Sequence, residues 1–151
     1  MSAVLFKFVC ATCGTVFYAS GAPEMSYGEF VLRSEYDEEV YLEAITNDVF
    51  KEVARMVRAH PLLARYDQLT SGDIAQKVFG YVCDYSSRGK RFHIELNPSC
   101  PSCSSRDMAS REEVYPQKLT NLVMATQNRW VSLSEDQKSK IIDTAVKEAL
   151  N

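Results

Sequence analysis

The chain has no run of roughly 18 apolar residues, the length a membrane-spanning helix requires, so a helical membrane protein is excluded. Histidine occurs only twice, at His60 and His93, and neither lies beside an acidic partner in the sequence. There is no H-E-x-x-H, no phosphate-cradling glycine loop and no G-x-S-x-G, so the common patterns for zinc hydrolysis, nucleotide chemistry and serine hydrolysis are missing. The opening "MSAVLFKFVC" lacks a basic leader and carries Lys7 within its apolar run; a strand is expected there rather than a secretory signal. Enzymatic activity is therefore the least favoured class.

What is present is a soluble-protein composition, 46% hydrophobic and 25% charged, in 151 residues, enough for one domain with a real core. The net charge of -3 conceals an asymmetry. Residues 24–52 hold nine acidic and two basic side chains, a balance of -7, which leaves +4 for the remainder. A solvated acidic helix face is the simpler reading of that segment, and an acidic docking surface the other.

Hydrophobic spacing predicts the elements. "AVLFKFVC" and "GTVFYAS" alternate around "CATCG" and predict two strands with cysteines at their turn, and "FVLRS" predicts a short extended piece. Val40, Ile45, Val49, Val53, Met56 and Val57 predict a helix from about Asp37 to Ala59, with a fresh start at Asn47–Asp48 as the alternative. A further helix is expected from Ser71, and "RFHIELN" alternates as a half-buried strand leading into "PSCPSC". A strand is expected to return near Glu113 to Tyr115. "PQKLTNLVMATQNRW" and "SEDQKSKIIDTAVKEAL" read as two helices, the second opening on Ser134 and Gln137 at capping-box spacing.

The five cysteines are arranged as Cys10-x-x-Cys13, Cys100-x-x-Cys103 and a lone Cys83. An odd number in two CxxC pairs suits metal binding in a reducing compartment, hence a cytoplasm, better than a disulfide framework. Structural zinc takes four ligands tetrahedrally, and two residues between cysteines let one tight turn offer both sulfurs to one ion. A thioredoxin-like redox pair would need a helix after its CxxC, whereas "CATCGTVFYAS" continues as a strand. Separate redox pairs, or cysteines that only pack in a core, remain the competing readings. The 86 residues between the pairs are no obstacle. Loop closure costs about 0.6 kcal/mol more per doubling of length, while a structural zinc contributes on the order of 10 kcal/mol. Iron in a four-thiolate site uses the same ligands. Lys7, Arg106 and backbone N–H groups are the donors expected near so negative a centre. Cys83 is expected to pack as a buried hydrophobe, His93 is a weaker ligand candidate, and His60 suits a helix C-terminus.

The stretches "FVCATCGTVFY" and "HIELNPSCPSC" resemble the zinc ribbon, whose pattern CPxCG tips two hairpins that share one zinc. Ala11 stands where the pattern has Pro, and Ser104 where it has Gly. The resemblance implies a structural zinc on Cys10, Cys13, Cys100 and Cys103, with iron in the same thiolate shell as the alternative that the ligand chemistry leaves open. The expected fold is α+β: one domain over 1–151, with metal-binding hairpins at 1–20 and 90–115. A mainly helical insertion at 21–89 and C-terminal helices at 116–151 complete it. The expected function is a protein-interaction or regulatory module with an as yet unidentified protein partner. The alternative is nucleic-acid binding through the basic stretch Arg88, Lys90, Arg91 and Phe92, against which a pI near 5.4 weighs.

Overall fold

A computed structural model describes residues 3–151, and the chain is α+β, with two sheets and several helices. Strand β1 (Ala3–Cys10) turns at the first cysteine pair into β2 (Val16–Gly21). A hairpin of β3 (Glu29–Arg33) and β4 (Glu39–Glu43) follows, then helices α1 (Asp48–Ala59) and α2 (Gln68–Phe79), with a 3₁₀ turn at Pro61–Leu63 between them. After the second cysteine pair come β5 (Met108–Glu113), β6 (Leu119–Thr120), β7 (Val123–Met124), α3 (Asn128–Val131) and α4 (Glu135–Ala149).

The first sheet has the order β2-β1-β5, all antiparallel, with β6 also paired to β1. Period-two alternation decides its faces. Phe6 and Phe8 turn inward, Phe8 stacking on Phe17 at 5.6 Å between ring centroids, and with Val4 they form a small core of their own. A register shift at Val9/Cys10 bends β1 just before the cysteine turn. The second sheet has the order β3-β4-β7, with β7 parallel to β4. Its apolar face, Leu32 and Leu42, meets Val53 and Val57 of α1, Val78 and Phe79 of α2, and Val146 of α4 in the main core. Trp130 plugs that core, and its Nε1 donates to Glu52 Oε1 at 2.8 Å.

Several elements differ from the sequence expectation. Residues 39–43 form β4 rather than the start of a helix; α1 begins at Asp48, where the Asn47 side chain accepts from the Phe50 N–H. Asp67, not Ser71, caps α2, and Ser71 is buried inside it. The expected strand over residues 91–96 makes one bridge, His93 to Arg33. Residues 116–130 form β6, β7 and the single turn α3 in place of a helix. Strand β5 starts at Met108, earlier than the expected returning strand. The capping box of α4 is formed as expected by Ser134 and Gln137.

Candidate metal centre

Two turns with the same backbone geometry build the centre. In the first, the Cys10 N–H donates to Thr15 O at 2.9 Å and the Gly14 N–H to Cys10 O at 3.0 Å; in the second, the Cys100 N–H donates to Ser105 O at 2.8 Å and the Ser104 N–H to Cys100 O at 2.8 Å. The fifth residue of each turn lies in the left-handed region, Gly14 at φ 76° and Ser104 at φ 66°. This repeat places the first cysteine of each pair inside and the second at the surface: Cys10 and Cys100 are buried, Cys13 and Cys103 exposed.

The four sulfurs lie within 4.8 Å of one another. Cys10 and Cys103 approach to 3.6 Å, Cys13 and Cys100 to 3.5 Å. Tetrahedral zinc with Zn–S bonds near 2.3 Å sets sulfurs about 3.8 Å apart, so the cluster could hold a metal ion. The turns also bond to each other, Thr12 Oγ1 donating to Ser105 Oγ at 2.9 Å and the Ala11 N–H to Asp107 O at 2.8 Å.

Backbone N–H groups tune the sulfurs. Those of Cys13 and Thr12 lower the Cys10 thiol against its burial. Burial opposes ionisation of Cys100, but the N–H groups of Cys103 and Ser102 outweigh it and bring that thiol to about 6. At Cys103 the Ser105 N–H lowers the thiol, yet burial and the neighbouring sulfurs prevail and push it up to about 12. The neighbouring sulfurs thus oppose ionisation of Cys103, and a divalent cation would relieve that crowding of charge.

Around the centre, Asp37 and two arginines brace the second turn. Asp37, at φ 62° in the β3–β4 connection, accepts from the Ser99 N–H at 3.1 Å, from the Ser99 hydroxyl and from Arg106 Nη1 at 3.1 Å. Arg106 also donates to Asn97 O and Glu35 O, so it acts as a brace and not as a donor to sulfur. Arg33, 5% exposed, pairs with Glu39 at 2.6 Å and donates to Leu96 O and Ser20 O. One guanidinium thereby ties β2, β4 and the approach to the second cysteine pair. Sequence reading missed these braces. The signal that could have found them is Asp37 itself, a turn-former within "SEYDEE" that tolerates positive φ.

The other sequence candidates are dispersed. Arg88 stacks on Tyr36 at 3.8 Å, Arg91 stacks on Tyr81 at 3.7 Å, and Lys90 Nζ lies 3.2 Å from Glu35. Phe92 is 5% exposed within the main core and offers no open face for a base. His93 is outside the sulfur cluster, and burial lowers its pKa. His60 closes α1, with Nδ1 accepting from the Leu62 N–H and Nε2 2.8 Å from Asp143 Oδ1. Cys83 is buried, which pushes its thiol up to about 12.

The centre is consistent with a zinc-ribbon-like motif. No protein-family model matches the chain, and comparison with curated proteins and with solved structures yields no significant match; the site is read from its own chemistry. Among the described residues, no helix is long and apolar enough to cross a membrane.

Proposed function

We propose that Cys10, Cys13, Cys100 and Cys103 hold one zinc ion as a structural centre, and that the chain is a metal-stabilised protein-interaction module. The observation that carries the metal reading is the repeated turn: two segments 86 residues apart in sequence share one hydrogen-bond pattern and aim four sulfurs at one point. Four thiolates fill the zinc shell, leaving no position for water or substrate, so the ion's contribution is to hold surfaces in place. The five free thiols suit a reducing cytoplasm.

Protein purified without chelator is expected to carry about one zinc per chain by elemental analysis, and Cys100→Ser is expected to lose it. Absence of metal from the wild type, or unchanged zinc in the variant, would overturn the proposal. A strong visible absorbance with stoichiometric iron would replace zinc with iron in the same shell.

A further inference from the structure

We propose that the free edge of β3 is a strand-addition site for an extended, acidic peptide segment of a partner protein. The inference deepens the interaction reading above and rests on it. β3 is the edge strand of the second sheet. In an antiparallel pair, successive residues turn their backbone groups alternately toward and away from the partner strand. The Ala44 N–H donates to Gly28 O and the Ser34 N–H to Glu38 O, which fixes the phase: even-numbered residues bond to β4. Glu29, Val31 and Arg33 therefore face outward. The Arg33 N–H and C=O are taken by His93, at 2.9 Å each. Those of Glu29 and Val31 have no hydrogen-bond partner among the described residues.

The chain that starts this outer ladder does not continue it. After His93 it is drawn off toward the cysteine turn, with Leu96 O held by Arg33 and Asn97 Nδ2 donating to Arg106 O. The space a next strand would fill is left as a cleft of about 380 Å³, walled by Phe8, Arg111, Val31 and Leu96. On the helix side of β3 a second cleft, of about 650 Å³, has a floor of Phe30, Ile45, Phe50 and Ala54. Gln76 of α2 and Phe30 line both. An added strand sends alternate side chains to opposite faces, so each cleft receives every second residue; backbone bonds supply affinity and the clefts specificity.

Charge selects the occupant. Lys51, Arg55 and Arg58 rim the helix-side cleft. In the other, the Arg111 guanidinium lies 4.7 Å over the Phe6 ring, with no carboxylate within ion-pair distance among the described residues. Glu29 and Glu95 line the clefts and Asp48 lies 4.0 Å from Lys51, so three carboxylates oppose these four cations, and Glu29 already accepts from the Tyr41 hydroxyl. The excess is positive, over an apolar floor. An extended segment with acidic residues and one apolar anchor fits both features.

The test uses a displayed library of random linear octapeptides on the zinc-loaded chain, followed by titration of the enriched peptides and amide hydrogen exchange. Enriched peptides are expected to be acidic with an apolar residue, and to slow exchange at Glu29 and Val31 at least tenfold. Val31→Pro removes an outward N–H, a change edge strands tolerate, and replaces one apolar wall residue with another; it is expected to weaken binding about five- to tenfold with zinc content and melting retained. Arg111→Gln is expected to weaken it similarly, and carries the test if the proline variant misfolds. Failure to enrich any peptide, or unchanged affinity in both variants, overturns the proposal. A free-protein dimer that Val31→Pro dissociates also overturns it, because the edge then belongs to a second copy. Peptides that bind but leave exchange at Glu29 and Val31 unchanged overturn the edge site while sparing the interaction reading; zinc content reports on the metal reading separately.

Discussion

Gly14 and Ser104 occupy equivalent positions in the two turns, and both have positive φ. For glycine that conformation is free, whereas for serine the Cβ meets the following carbonyl at a cost of about 1 kcal/mol. A Cβ at Gly14 would meet no atom within 4 Å, so Gly14→Ala isolates the dihedral cost. It is expected to destabilise the zinc-loaded chain by about 1 kcal/mol. Ser104→Gly is expected to do the opposite, by roughly 0.5 kcal/mol after the added entropy of the unfolded chain. Thermal melting checks both, and opposite signs are the required outcome. The same scale explains what sequence reading found at the site and what it missed. Cysteine pairs announce themselves by spacing, because both sulfurs of a pair must leave one turn. Arg33 and Arg106 do not, because apart from one carboxylate each, Glu39 and Asp37, their partners are backbone oxygens that carry no residue identity.

At the scale of elements, Asp37 couples the β3–β4 connection to the second cysteine turn. Burial alone would raise its carboxyl; the Ser99 and Arg106 donors outweigh this and hold it below the usual range. A lowered folded value stabilises the protein above the unfolded value near 3.9, and that contribution is lost as pH falls through the folded value. Asp37→Asn keeps a residue that tolerates positive φ but removes the charge. It is expected to cost about 1 kcal/mol at pH 7, reduced by the partial exposure of the pair. The deficit relative to wild type should hold constant from pH 8 to about pH 5 and shrink below about pH 4. Denaturant melts of both proteins across pH read that difference, and metal release common to both cancels. A deficit that grows on acidification would contradict the assignment.

Elements were legible where their own pattern decided them. The alternation of β1 and β2 and the capping box of α4 are local and correct. The 40–57 spacing fitted a helix as far back as Asp37, but Val40, Tyr41 and Leu42 are consecutive and fill both faces of a strand between two partners. Strand β5, "MASREE", has almost no apolar pattern and is a strand because β1 pairs with it. The two-residue strands β6 and β7 are too short to show any period. "RFHIELN" alternates well, yet Arg33 captures Leu96 O and draws the chain off the ladder after one bridge.

For the whole molecule, the decisive contrast is between two unequal cores. Among the described residues the apolar cluster of the first sheet has three buried members, Val4, Phe6 and Phe8, whereas the second sheet and the helices share a buried cluster of nineteen. So small an apolar cluster offsets only part of the cost of ordering three strands, and a structural metal at the sulfur cluster would add stability on this side of the molecule. Chelation is therefore expected to unfold the molecule unevenly. Amides of β1, β2 and β5 should lose hydrogen-exchange protection on metal removal, while those of α2 and α4 keep theirs, because the larger core does not contain the sulfurs. Thiol titration should follow the same division, with four cysteines reacting after chelation and buried Cys83 only on full denaturation. Simultaneous loss of protection in all elements would mean that the clamp stabilises both cores as one unit, and retention everywhere would mean that the first sheet stands without it.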